Sequence, residues 1–214
     1  MGKRVGVLGS GQVAQVLSAG FKKHGYEVKV GSRDPAKLAD FTAQQGIPAG
    51  SLADTAAFGE ILVLAVNGNG ALDALKQAGA AKLAGKVVID ATNPIANEPP
   101  ENGVIRFFTG PGDSLMERLQ VAFPAARFVK AWNSVGNAFM VNPSFPGGPP
   151  TMFICGNDAG AKAEVSAILE QFGWSAEDMG TATSARAIEP LCQLWCIPGM
   201  LHNRWSHAFK LLKL

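Results

Sequence analysis

With 214 residues, 47% of them hydrophobic and 17% charged, the chain can bury one sizeable core with at most a small appendage. A net charge of +2 argues against nucleic acid or an anionic membrane as partner. Three cysteines make no disulfide framework, and neither a leader nor an apolar run of the roughly eighteen residues that cross a bilayer is present, so a cytoplasmic protein without a membrane partner is expected.

Arg4–Leu8 is an apolar run of strand length and Gln12–Lys23 reads as a helix. Between them lies Gly9-Ser10-Gly11-Gln12-Val13-Ala14, the glycine turn of a dinucleotide-binding β-α-β unit. Gly9 and Gly11 lack a Cβ, which lets the turn form and the backbone approach a pyrophosphate. The free N–H groups of the helix start, and the helix dipole, both favour that anion. Ala14 takes the place of the third glycine, where only close packing is required.

The second strand, Glu27–Val30, runs into Gly31-Ser32-Arg33. An NAD-binding domain places Asp or Glu here to hold the ribose 2′-OH. A carboxylate repels a 2′-phosphate, whereas the Ser32 hydroxyl and the Arg33 guanidinium donate to one, and Lys37 adds a second positive charge. The expected cofactor is therefore NADP. Asp34 offers the competing reading of a ribose-binding acid, but Asp34-Pro35 fits an N-cap and first position for a helix over Pro35–Gln45.

Further along, Ser51–Phe58 is expected as a short helix, Ile61–Val66 as a buried strand, Ala71–Ala78 as a helix and Lys86–Ala91 as another buried strand. Residues Asn93–Asp113 are irregular, Ser114–Phe123 helical and Arg127–Ala131 a strand. Pro143–Pro150 ends in five prolines and glycines and reads as a lid or turn. Thr151–Cys155 is a strand, Ala159–Phe172 an amphipathic helix, and the chain from Ala185 a long apolar helical segment. Alternating strands and helices predict a doubly wound parallel Rossmann sheet over residues 1–184, with a short helical extension over 185–214 that forms a substrate cleft or a dimer contact.

Ligands of such sheets bind at the carboxyl ends of the strands. That rule nominates Val66-Asn67-Gly68, Ala91-Thr92-Asn93-Pro94 and Trp132-Asn133-Ser134. Acid–base candidates are few. The single tyrosine, Tyr26, starts the second strand, and His24, His202 and His207 fall on predicted helices or their ends. Cys192 and Cys196 share a helix face and read as buried thiols rather than as metal ligands with Glu189 and His202, so no metal site is expected. Lys130 reads as a snorkelling structural lysine. Hydride transfer to a flavin-like ring needs chiefly proximity and orientation, whereas ketone reduction needs a placed proton donor.

The segments VGVLGSGQVA, VGSRDPAK, VVIDATNP, KAWNSVGNA, MFICGND and IEPL resemble the NADP oxidoreductase, coenzyme F420-dependent family, itself similar to the cytosolic reductase domain of the membrane ferric reductases. The resemblance implies a Rossmann domain whose carboxyl-terminal extension helps form a deazaflavin cleft and often a homodimer. It also implies hydride transfer between nicotinamide C4 of NADPH and C5 of F420. By position, Ser10, Gly11, Gln12 and Val13 would hold the pyrophosphate, and Ser32, Arg33 and Lys37 the 2′-phosphate. Val66 and Asn93 would flank the ribose and nicotinamide, and Asn133, Ser134 and Val135 would lie near the ring where hydride moves. Trp132-Asn133-Ser134-Val135-Gly136 departs from the proline-containing segment of F420 reductases, as Asn67 departs from their proline, so FMN or FAD is also open as acceptor. The alternatives are an NADP(H)-binding redox sensor without turnover, and a reductase of a small imine or carbonyl with Lys130 or a water as proton source.

Overall fold

The computed structural model describes residues 2–214. Six parallel strands form the main sheet: β1 (Arg4–Leu8), β2 (Glu27–Gly31), β3 (Ala49–Gly50), β4 (Ile61–Leu64), β5 (Val87–Asp90) and β6 (Arg127–Lys130). Their spatial order is β3-β2-β1-β4-β5-β6, the Rossmann arrangement. The chain reverses its direction of travel between β1 and β4, and the crevice at their carboxyl ends is where such sheets take ligands.

The strands are apolar on both faces because helices cover both. In β4, Ile61 and Val63 enter one core and Leu62 and Leu64 the other, as the two-residue period requires. The first core receives Leu17 and Phe21 of α1 (Gln12–Lys23) and Val165, Ile168 and Leu169 of α7 (Ala159–Gln171). The second receives Leu52 and Ala56 of α3 (Leu52–Phe58), Ala74 and Leu75 of α4 (Ala71–Ala78), and Leu115 and Leu119 of α6 (Leu115–Ala122). Each such Leu, Ile, Val or Phe contributes about 1.5–3 kcal/mol of burial. Ser51 and Ser114 cap α3 and α6, each hydroxyl accepting the N–H three residues on at 3.0 and 3.2 Å.

Some boundaries differ from the sequence reading. Pro35–Leu38 is a 3-10 turn that leads into α2 (Ala39–Gln45), and Asp34 makes no side-chain cap. Its N–H instead donates to Ser32 Oγ at 3.1 Å, so the hydroxyl that fixes the turn is that of Ser32. The two-residue β3, the single-turn α5 (Ala80–Leu83) and β8 (Ser175–Asp178) carry too little apolar pattern to be read from sequence. The strand at Thr151–Cys155 is β7 (Thr151–Ile154); it does not join the main ladder but pairs in parallel with β8. One antiparallel bridge, Lys130 N–H to the Cys155 carbonyl at 3.0 Å, connects it to β6. Pro143–Pro150 is a turn, with Gly148 N–H bonded to the Phe145 carbonyl at 3.0 Å and the Pro149 carbonyl held by Lys210 at 2.9 Å.

The carboxyl-terminal segment is helical only in part. After α8 (Ala185–Ile188), α9 (Pro190–His202) ends at Asn203 with φ +51°, and residues beyond it, His207 included, are not helical. Asn203 closes the helix by donating to the Gly199 carbonyl at 2.8 Å. Trp205 then folds back onto Gly199 and stands 5.6 Å from the ring of Trp195, which His207 stacks against at 5.0 Å. The tail continues along β7, where Thr151 N–H donates to the Phe209 carbonyl at 2.8 Å. Among the described residues no helix is long and apolar enough to cross a membrane.

Candidate functional site

Gly9 has φ +145°, and a Cβ there would lie 2.2 Å from the Ala65 carbonyl oxygen, so only glycine lets the β1–α1 turn pass so close to β4. Gly11 has ordinary φ, −76°, and its missing Cβ faces open space. It stands at the N-cap of α1 and no side chain caps the helix, leaving the first N–H groups without an internal partner. Gly9 N–H donates to the Gly31 carbonyl at 2.8 Å, which brings the turn and the end of β2 together.

Two adjoining cavities follow from this packing. One, of about 220 Å³, is lined by Gly9, Ser10, Gly11, Ser32, Arg33 and, across the crevice, Val66 and Asn67. The other, of about 300 Å³, shares Gly11, Val66 and Asn67 and continues to Gln12, Val13 and Ala91. They form one cleft across the carboxyl ends of β1, β2, β4 and β5. A larger hollow of about 490 Å³, near Lys3, Tyr26 and Glu164, opens at the amino ends of the strands, where Lys3 and Glu164 already pair at 2.6 Å.

Most of the sequence-nominated residues therefore line one cleft. The exposed Lys37, the half-buried Asn93 and the buried Pro94 line neither cavity. Asn93 lies behind the wall, its carbonyl pressed where a Cβ of Gly68 would stand, 2.0 Å away. Asn133, Ser134 and Val135 are buried as well and line neither cavity. Asn93 Nδ2 donates to the Asn133 carbonyl at 2.7 Å, and Asn133 Nδ2 donates to the Ile188 carbonyl at 2.9 Å. The preceding residue, Trp132, holds φ +58°, a strained value costing about 1–3 kcal/mol. Its ring is locked between Phe21 and Phe172, at 6.1 and 5.4 Å, and this packing sustains the bend at the end of β6.

Lys130 corrects the sequence reading most. It does not snorkel: its side chain is fully buried, with Nζ 2.8 Å from Asp90 Oδ2, 2.8 Å from Glu189 Oε1 and 2.9 Å from the Thr92 carbonyl. Burial alone pushes its pKa down, but Asp90 and Glu189 outweigh that and raise it above the ordinary lysine value. A buried ammonium so held is no proton source for a substrate. Glu189 also accepts the N–H groups of Leu115 and Met116, at 2.9 and 3.0 Å, at the start of α6. The signal for this cluster is a charged residue closing each of two apolar runs, VVID and RFVK, since burial requires partners for both. Cys192 and Cys196 are buried thiols, in a cluster with Ile105 and Trp195.

The cleft suits a phosphorylated dinucleotide by its chemistry: capless helix N–H groups, a close-approach glycine, and hydroxyl and guanidinium donors at the end of β2. The family description NADP oxidoreductase, coenzyme F420-dependent, matches residues 4–94, from β1 through the loop after β5. Fold and site thus define an NADP-dependent oxidoreductase.

Across 99% of both chains, this one is 33% identical to a candidate F420-dependent NADP reductase from Arthrobacter sp. FB24, whose crystal structure superposes with a TM-score of 0.91. The chain belongs to the NADP oxidoreductase, coenzyme F420-dependent family. It is also 31% identical to Metalloreductase STEAP3 of Rattus norvegicus over 92% of its own length, and spans 39% of that relative. An imine reductase from Myxococcus stipitatus shares the fold alone, at 18% identity and a TM-score of 0.67 over 91% of this chain and 62% of that one.

Proposed function

We propose that the chain transfers hydride between NADP(H) and coenzyme F420. The observation that carries this reading is the end-to-end similarity to the candidate F420-dependent reductase, at 33% identity over 99% of both chains. Gly11, Gln12 and Val13 present backbone N–H groups to the pyrophosphate, and Gly9 and Ser10 shape the turn around it. Ser32 and Arg33 hold the 2′-phosphate, with Lys37 adding long-range attraction. Val66 and Asn67 form the facing wall. Asn93, Pro94, Asn133, Ser134 and Val135 support the nicotinamide side from behind. When bound, the cofactor supplies a hydride from nicotinamide C4. The protein's task is to fix the two ring systems face to face and keep water from between them.

A flavin, FMN or FAD, is the second reading, favoured by the likeness to a metalloreductase. Metal ions take single electrons, and a flavin converts a hydride into single electrons whereas a deazaflavin passes hydride on. In either case residues 185–214 close the acceptor side, and their exposed Leu194, Leu201 and Leu212 support a homodimer.

Anaerobic mixing with NADPH and, separately, oxidised F420, FMN and FAD tests both readings. Loss of NADPH absorbance with F420 alone supports the first, and loss with flavin alone the second. Tight NADPH binding without turnover with any of the three acceptors would overturn both and leave a sensor or a reductase of another substrate, such as a small imine or carbonyl.

A further inference from the structure

Lys130 is spent on something other than packing, because apolar side chains of similar volume in place of the Lys130, Asp90 and Glu189 triad would fill the same space without burying charge. Its ammonium donates to the Thr92 carbonyl just beyond β5 and forms ion pairs with Asp90 at the end of β5 and Glu189 at the α8–α9 junction. Each acceptor is itself anchored. Asp90 Oδ1 takes the Thr92 N–H at 2.9 Å and its hydroxyl at 2.6 Å, while Glu189 takes two N–H groups of α6. The positive amino end of α6 offsets the surplus negative charge of two carboxylates against one ammonium.

One neighbour of this clamp stands in the cleft wall, and others tie that wall to the rest of the fold. Ala91, in the cleft wall, is flanked by Asp90 and Thr92. Asn93 follows Thr92 and bonds the Asn133 carbonyl; Asn133 bonds the carbonyl of Ile188, which precedes Glu189. Hydrogen bonds of fixed length and direction thus close a loop through β5, β6 and α8, where apolar packing would let these ends slide. The phosphate end of the cleft, at Ser32 and Arg33, lies outside that loop.

We infer that Lys130 is a positioning residue: its buried ammonium fixes the ends of β5 and β6 against the α8–α9 junction and so sets the wall on which the nicotinamide rests. This rests on the cofactor reading above. The test is calorimetric titration of wild type, Lys130→Met and Glu189→Gln with NADP⁺ and with adenosine 2′,5′-bisphosphate, which has the phosphate end and no nicotinamide. Both variants should bind NADP⁺ about tenfold more weakly, as expected for one misplaced hydrogen-bonding wall. Their affinity for the bisphosphate should stay within about twofold. Equal weakening for both ligands, as a purely structural role predicts, would overturn the inference, and so would unchanged NADP⁺ affinity. Glu189→Gln keeps the shape of the junction and decides the matter if Lys130→Met does not fold. A wild type that binds neither ligand would instead sink the cofactor reading itself.

Discussion

Gly9 and Gly31 are joined by a 2.8 Å hydrogen bond from the N–H of the first to the carbonyl of the second. The turn proposed to hold the pyrophosphate and the strand end proposed to hold the 2′-phosphate are therefore fixed to one another before any ligand arrives. Preorganisation of this kind lowers the ordering cost of binding. It also means that changes on either side of the bond have separable effects.

Arg33→Ala should weaken NADPH binding by about 1–3 kcal/mol, the scale of a charge-assisted hydrogen bond. Binding of NADH should be almost untouched, because it lacks the 2′-phosphate. Parallel titrations check this, and equal losses for the two cofactors would remove the electrostatic basis for the NADP assignment.

The two glycines of the turn should respond differently to alanine. Gly9→Ala forces a Cβ to within 2.2 Å of the Ala65 carbonyl at φ +145°, and should cost about 3 kcal/mol of stability. Gly11→Ala meets no atom within 4 Å and should leave Tm nearly unchanged, yet its methyl group occupies the approach of the phosphate. Thermal melts with and without NADPH separate the two. A stable Gly9→Ala protein would contradict the packing, and undiminished NADPH binding by Gly11→Ala would contradict the phosphate position.

Gly199→Ala tests how the carboxyl-terminal tail is held. A Cβ at this position would stand 2.3 Å from ring atoms of Trp205, so the indole must move off α9. The expected loss is about 1–3 kcal/mol, as for other overpacked sites. A red shift in tryptophan fluorescence should accompany it; an unshifted spectrum would mean that the tail accommodates the methyl group in place.

The Arg186 guanidinium, 2.8 and 2.9 Å from the two Glu117 oxygens, holds the Glu117 carboxyl below the ordinary glutamate range. A lowered folded-state pKa adds stability above the unfolded value, and that stability is lost as pH falls through the folded value. Wild type should accordingly be more stable than Glu117→Gln near neutrality, by less than about 1 kcal/mol because solvent screens the pair. The difference should shrink as pH drops below about 5. A gap in Tm that persists or widens in acid would show that the pair does not act through its charge.

The buried Cys155 thiol, pushed by its burial up to about 12, should resist alkylation in the native protein at pH 8 and react fully after unfolding. Mass mapping of iodoacetamide adducts reads this directly, and native labelling of Cys155 would show that β7 opens.

Local chemistry alone determined much of this protein. The turn Gly9–Gly11, the donors at Ser32 and Arg33 and the apolar runs of β1, β4 and β5 are short-range patterns, so they fix strand ends, helix starts and a preference for NADP without reference to the rest of the chain. What the tertiary structure decided is everything that depends on residues distant in sequence. Lys130 reads as a snorkelling structural lysine until Glu189, far along the chain, and Asp90 are brought within 2.8 Å of it. Asn133 looks like a ligand-facing polar group by its place at a strand end, whereas in the fold its Nδ2 donates to the Ile188 carbonyl and its backbone carbonyl accepts from Asn93. The tail from Asn203 looks helical by composition, yet the chain leaves the helix there, Trp205 and Phe209 pack on the cluster around Trp195, and the tail runs beside β7. Propensity acts within a few residues, whereas burial forces a charge or an amide to find partners wherever the fold supplies them, and that choice belongs to the packed chain.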